Sequence, residues 1–278
     1  VDLGDRVPLS VLLKGMIIQS GNDASVALAE HVSGSESAFA DLMNQYAKEL
    51  GMGSTSYRNA TGLPDPEHYT TATDILKLAN AIIREFPDYY RWYSEKEFTW
   101  NGITQSNRNG LLWRDSTVDG MKTGFTDTAG YCLVSSALRD DMRLVAVVLG
   151  TDSPAARERE SQTLLNYGYR FYETKLLLPG GKALSEARVW KGETELVDVG
   201  VRRNVWVTVP RGTVGQLKPT YTLPAQLMAP LGPATELGKV RVTLGDTTIA
   251  ETGLYPLKPV ATGSLWQQGR DWVLLWFE

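Results

Sequence analysis

Thr117-Val118-Asp119-Gly120-Met121-Lys122-Thr123-Gly124 is the stretch from which the rest of the chain is read. Its first five residues are strand-like, and if the strand continues, Lys122 and Gly124 share a side. An ammonium there attracts a substrate carboxylate and the Thr123 hydroxyl can hydrogen-bond it. Gly124, without a side chain, lets a substrate backbone come close to the strand. The apolar runs 131–138 and 144–149 flank Arg139-Asp140-Asp141 and predict two paired central strands. A long helix is expected over 154–172, with Leu164, Leu165 and Tyr169 on one face.

Upstream the periodicity is helical. Pro8 suits a helix start, and Leu9, Leu12, Leu13, Met16 and Ile17 recur at helical spacing. Ser20-Gly21-Asn22 follows, and Asp23 is the expected cap of a second helix through Val26, Ala27, Ala29 and Glu30. A third helix is predicted over 36–50, stopped by Gly51, and a fourth opens at Thr73-Asp74 and ends before Pro87. Asn101-Gly102 signals a hairpin turn. In Ser20-Gly21-Asn22 a hydroxyl and a carboxamide two apart can face one cleft, the serine to relay a proton and the asparagine to hold a substrate amide or a lysine. On its own the tripeptide is ordinary turn chemistry.

Beyond Pro179-Gly180-Gly181 the pattern changes to short alternating strands at 187–190, 204–209, 221–223, 239–244 and 247–249, the signature of a small all-β domain. The expected division is 1–174, 175–262 and 263–278. In the last segment Leu265, Trp266, Trp272, Val273, Trp276 and Phe277 fall on one helical face, opposite Gln267, Gln268, Arg270 and Asp271. It is too short to span a bilayer, and its tryptophans favour the membrane–water interface, so 264–278 reads as an in-plane anchor. The competing expectation is a C-terminal helix docked on its own protein.

The bulk numbers narrow the function classes. The net charge of −4, with no basic run, argues against nucleic acid as a partner. The single cysteine, Cys132, cannot form a disulfide within the chain and is expected to be a small buried hydrophobe. His31 and His68, even with Cys132, lack the spacing of a zinc site, and both are expected to be structural or solvated. No metal and no organic cofactor is implied. No Gly-x-Ser-x-Gly elbow supports a Ser-His-Asp triad. The other base for serine chemistry is a lysine whose ammonium is destabilised by burial or by a second cation.

Ser-x-Asn followed by Lys-Thr-Gly are the second and third motifs of the penicillin-binding proteins and serine β-lactamases. The segments around them, 15–24, 107–113 and 119–124, together with Arg157-Glu158-Arg159-Glu160-Ser161, resemble the low-molecular-mass D-alanyl-D-alanine carboxypeptidases. The β-rich region, with Val205-Trp206-Val207-Thr208-Val209-Pro210-Arg211-Gly212, and the aromatic tail are similar to that subfamily's second domain and anchor, so the resemblance covers essentially the whole chain. It implies an α/β (α+β) penicillin-binding, β-lactamase-like transpeptidase domain, then a small all-β domain and an amphipathic helix. It also implies removal of the terminal D-alanine from peptidoglycan stem peptides through a serine acyl-enzyme, at the outer, periplasmic face of the cytoplasmic membrane. β-Lactam antibiotics would acylate the same serine. Ser20 would assist proton transfer to the leaving amine and Asn22 would position substrate and lysine. Lys122, Thr123 and Gly124 would hold the substrate's terminal carboxylate, with Arg157 assisting.

The resemblance has two departures. The family's Ser-x-x-Lys nucleophile motif lies several tens of residues before Ser-Gly-Asn, whereas this sequence has nineteen residues there and begins without Met. The expectation is an N-terminally truncated chain with no nucleophile of its own and an incomplete core. Ser10-Val11-Leu12-Leu13-Lys14 has one residue too many and matches the helix leading into Ser-Gly-Asn. The second departure is Phe125 after Lys-Thr-Gly, where some relatives carry histidine. The alternatives are a non-catalytic peptidoglycan-binding scaffold relative, motivated by the absent Ser-x-x-Lys, and an endopeptidase or transpeptidase using the same site.

Overall fold

A computed structural model of the chain describes residues 4–276, and they fold as two units divided between Arg170 and Phe171. In the first unit α1 (Leu9–Lys14) runs into a π-helical turn, Gly15–Gln19, that ends at Ser20. Then come α2 (Asn22–Ser33), α3 (Glu36–Glu49), α4 (Ala72–Glu85) and the short α5 (Pro87–Tyr90). The hairpin β1 (Glu97–Trp100) and β2 (Ile103–Ser106) turns at Asn101-Gly102, both at positive φ as a primed turn requires. One turn of helix, α6 (Leu111–Arg114), leads into β3 (Val118–Thr126), β4 (Gly130–Arg139) and β5 (Met142–Thr151), and α7 (Pro154–Phe171) closes the unit.

β3, β4 and β5 form an antiparallel sheet in chain order, and its pleat decides what covers each face. Leu133, Ala137 and Ala146 point to one side and pack with Leu165 and Tyr169 of α7 and with Leu111, Leu112 and Val118. Val134 and Val145 point to the other, where with Met121 they pack against Ala79, Ile82 and Ile83 of α4 and Tyr90. Both faces are therefore covered, which is why these strands read as apolar runs without alternation. Leu165 is almost wholly buried, and truncating such a leucine to alanine costs about 2–5 kcal/mol. The Tyr169 hydroxyl adds a bond to the Ala137 carbonyl at 2.7 Å, tying α7 to the middle strand.

Two helix starts differ from expectation. α2 begins at Asn22 with Gly21 as its cap, and Asp23 lies inside the first turn, so the preceding π-turn and not an acidic cap sets where the helix begins. For α4 the cap is Thr71, whose hydroxyl accepts from Asp74 N–H at 3.2 Å. Asp74 is instead buried, accepting from Ser54 N–H at 2.8 Å and the Thr55 hydroxyl at 2.9 Å.

The second unit starts with β6 (Tyr172–Leu178), where the helical pattern had been expected to reach Tyr172. It continues with β7 (Ser185–Trp190), β8 (Leu196–Gly200), β9 (Val205–Pro210), β10 (Leu217–Thr222), β11 (Leu227–Met228), β12 (Gly238–Leu244) and β13 (Thr247–Pro256). Six strands make one sheet in the order β10-β12-β13-β8-β7-β11, and β6 pairs with β9. In β12 Lys239 and Arg241 face out while Val240 and Val242 are buried, the alternation of a half-covered strand. The core is largely aliphatic, with Val189, Val197, Val199, Val240 and Leu254 at its centre. The last helix, α8 (Leu265–Leu274), is capped by Ser264 in a capping box with Gln267. Phe277 of the expected apolar face lies outside the described residues.

Candidate active site

Ser20 stands at the end of the π-turn in the left-handed region, φ 60° and ψ 41°, a conformation that costs a non-glycine residue about 1–3 kcal/mol. Backbone bonds hold it there: Ser20 N–H donates to Met16 O at 3.1 Å and Gly21 N–H to Gly15 O at 3.2 Å. The wider π-turn thus ends by lifting the serine out of the helix and starting α2 at Asn22. Both side chains line a cavity of about 1000 Å³.

The opposite wall is β3. Lys122, Thr123, Gly124 and Phe125 line the same cavity, together with Arg157 from α7. Lys122 Nζ donates to Ser20 Oγ and, at 2.9 Å, to the Thr123 carbonyl. Below the strand, buried Asn109 donates to the Gly120 carbonyl at 3.1 Å. Gly120 leaves no room for a side chain, since a Cβ there would sit 2.7 Å from the Tyr90 hydroxyl. That hydroxyl and Arg143 both hold Asp119, at 2.6 Å and in a two-pronged ion pair at 2.7 and 2.8 Å. Lys122 therefore projects from a strand whose underside is fixed by packing and charge.

Every ionisable group described on the cavity wall, apart from Tyr93, Tyr131 and Cys132, is a cation: Lys122, Arg108 and Arg157. Burial pushes the Lys122 ammonium down to about 8, helped by the repulsion of Arg108 and Arg157. Arg157 is itself buried and its pKa is lowered, again by burial first. It donates to the Gly124 carbonyl at 3.3 Å and the Arg108 carbonyl at 3.4 Å, lies over the Tyr131 ring, and has no partner for Nε. Three cations without a facing carboxylate make a site for an anion. The neutral fraction of Lys122 near pH 7 makes the Ser20–Lys122 pair able to relay a proton.

All six residues singled out from the sequence, Ser20, Asn22, Lys122, Thr123, Gly124 and Arg157, line this one cavity. Ser10 does not; it is exposed on α1. Cys132 differs from expectation. It is only partly buried and lines the cavity, because it pairs with Gly124 in the β3–β4 register and nothing covers it from that glycine. His68 packs edge-on against Tyr57, and His31 is exposed. Sequence reasoning gave no role to Arg108 or to the loop Ala60-Thr61-Gly62-Leu63, which also line the cavity. Arg108 had a signal, its place between two asparagines that proved to be buried; the loop had none.

A left-handed serine bonded to a lysine on a neighbouring strand, in an anion-attracting cleft between a helical layer and an antiparallel sheet, is the arrangement expected from the resemblance to the penicillin-binding fold. The comparisons give the family. The family described as D-alanyl-D-alanine carboxypeptidase matches residues 1–153, and the one described as penicillin-binding protein 5, C-terminal domain, matches 172–262. This chain belongs to the D-alanyl-D-alanine carboxypeptidase family. It is 42% identical to D-alanyl-D-alanine carboxypeptidase DacA of Escherichia coli K12, over 99% of this chain and 68% of that protein. With DacD of the same organism the identity is 40% over 97% of this chain and 70% of the relative. The crystal structure of penicillin binding protein 5 from Haemophilus influenzae superposes with a TM-score of 0.83 at 42% identity, covering 94% of this chain and 77% of that one.

Proposed function

We propose that the protein is a serine-type carboxypeptidase that releases the terminal D-alanine from peptidoglycan stem peptides ending in D-Ala-D-Ala. The observation that carries this reading is the acid-free cleft in which Lys122 bonds the Ser20 hydroxyl and Arg108 and Arg157 line the same walls. A peptide C-terminus is a carboxylate, and Lys122 and Thr123 supply a cation and a hydroxyl on one edge for it, with Arg157 behind. Asn22 can hold the substrate amide, and Ser20 with Lys122 can deliver a proton to the amine that leaves. The attacking serine of the family's chemistry corresponds to no residue of this sequence. β-Lactams, which carry a carboxylate beside a strained amide, suit the same cleft.

The membrane surface is the second proposed partner, through residues 264–278. No helix among the described residues is long and apolar enough to cross a membrane. Leu265, Trp266, Trp272 and Val273 on α8, and Trp276 just beyond its end, are all exposed, as on a helix lying in an interface. This supports a peripheral protein on the periplasmic face of the cytoplasmic membrane.

The test is release of D-alanine from a diacetyl-Lys-D-Ala-D-Ala peptide by the protein as its gene encodes it, with the intact mass measured before and after benzylpenicillin. Release, and one covalent adduct, are expected. No release and no adduct would overturn the reading.

A further inference from the structure

An ordinary surface helix buries its apolar stripe and shows its polar one. α8 is mounted the other way round. Leu265, Trp266 and Trp276 are 88%, 81% and 77% exposed, whereas Asp271 is 3% exposed. Trp272 and Trp276 lean on each other, ring centroids 5.6 Å apart, and extend one outward apolar surface.

The polar stripe is consumed by the β unit. Asp271 accepts the Lys191 N–H at 2.6 Å, at a point where Lys191 has turned into the left-handed region. Gln267 donates to the Glu193 carbonyl at 3.3 Å and Gln268 to the Gly263 carbonyl at 2.8 Å. Arg270 is the one Lys or Arg in 264–278. It is paired with Glu195 at 2.6 Å and with Asp271 at 2.9 Å. The helix therefore offers the outside no free cation.

Interfacial helices that choose anionic lipids do so with Lys and Arg on the polar face, attracted to a negative surface. On α8 that attraction is already spent within the protein, and the whole sequence carries a net charge of −4. From this arrangement we infer that the apolar face of α8 docks on a lipid interface by insertion of its tryptophan and leucine side chains, without selecting for headgroup charge. The inference rests on the proposed membrane role of 264–278 and adds to it the class of lipid surface recognised. A neutral zwitterionic bilayer is sufficient.

Sedimentation of the full chain with large unilamellar vesicles tests this, using pure phosphatidylcholine against phosphatidylcholine with phosphatidylglycerol. Each is run at about 0.1 M and about 1 M salt, between which the screening length falls from about 10 to about 3 Å. The expected result is partitioning onto both vesicles within about threefold of each other and no loss at high salt, as apolar burial requires. Trp266→Ala with Trp276→Ala, two changes at highly exposed positions, lowers both by about tenfold or more. A large preference for anionic vesicles that salt abolishes would overturn the inference and leave the anchor standing. Binding to neither vesicle would remove the anchor and the inference together, and self-association lost in the double variant would then identify a second copy as the occupant.

Discussion

Lys122 donates its ammonium hydrogen to the Ser20 hydroxyl, joining two motifs that lie 102 residues apart in the chain. Each tripeptide alone is unremarkable turn or strand chemistry. Their meaning comes from the fold, which lifts Ser20 out of a π-turn in the left-handed region and aims Lys122 at it from a strand fixed on its underside by Asp119, Asn109 and Tyr90. The cleft can then hold an anion and move a proton with the same lysine.

If Lys122 holds the substrate carboxylate, its removal discriminates between ligands that have one and ligands that do not. Lys122→Met is expected to weaken binding of a D-Ala-D-Ala peptide acid by about 1.5–3 kcal/mol, about ten- to a hundredfold, the size of a charged hydrogen bond. Binding of the corresponding C-terminal amide changes little. Calorimetric titration of both ligands against both proteins checks this, and equal losses for acid and amide would mean that the lysine acts elsewhere.

The pH dependence follows from the Lys122 pKa of about 8. Carboxylate affinity is highest below that value, where the ammonium is charged, and falls as the pH rises through 8 towards 10. A bound anion moves the transition upward. Stability runs the opposite way. The unfolded chain holds this proton up to the ordinary 10.5 and the folded one releases it near 8, so the cost of the buried cation is full below pH 8 and disappears between 8 and 10.5. Lys122→Met should therefore raise the melting temperature at pH 7, by about 2–4 °C for each kcal/mol relieved, and lose that advantage by pH 10.5. Melting curves across the range test the sign.

The ion pair beneath the strand gives a stability test with a built-in control. Asp119 and Arg143 are both about 30% exposed, and removing one partner of such a half-buried pair leaves the other uncompensated. Asp119→Ala is expected to cost about 2 kcal/mol. Arg143→Met added to it should cost less than the sum of the two single changes, because the stranded charge goes with it. Additive losses in denaturant titrations would show that the pair is not coupled.

The strands and most helices of the first unit were legible because their periodicity is local: alternation, caps and the Asn101-Gly102 turn need only near neighbours. What escaped depends on partners far along the chain. Asp74 read as a helix-opening residue because its own turn is all the sequence shows, yet while Lys77 takes one of its oxygens, the other is taken by Ser54 and Thr55, some twenty residues upstream. Cys132 read as core because its run is apolar, and only the register against Gly124 opens it to the cleft. The six site residues were legible as motif members, but the cations Arg108 and Arg157 acting on Lys122 are a product of assembly.

Asp74 anchors the base of the loop whose tip lines the cleft. Its bonds to Ser54 and Thr55 sit beside the Ser56–Tyr69 bridge, and Ala60-Thr61-Gly62-Leu63 lies between the two bridge residues. Asp74→Ala removes the acceptor shared by the Ser54 N–H and the Thr55 hydroxyl and should lower the melting temperature and also weaken binding of cleft ligands, whereas Asp74→Asn, which keeps an acceptor, should do less of both. Chemical-shift changes reaching Thr61 and Leu63 in Asp74→Ala would confirm the route, and shifts confined to α4 would count against it.

Asp271 fixes which way α8 faces. Its carboxylate is the buried point at which the helix meets the Lys191 N–H and Arg270. Without it the helix keeps its capping box at Ser264 and Gln267 but loses its hold near the C-terminal end. Asp271→Ala is therefore expected to speed hydrogen exchange at the amides of 268–274 while the strand core of the unit stays protected. Vesicle affinity should fall as well, because a helix no longer pre-oriented must be ordered at the membrane. Asp271→Asn retains an acceptor for Lys191 and loses the charge facing Arg270, so it should fall between the two. Unchanged exchange in Asp271→Ala would show that the outward face of α8 is held by other contacts, with the Arg270–Glu195 pair the next to remove.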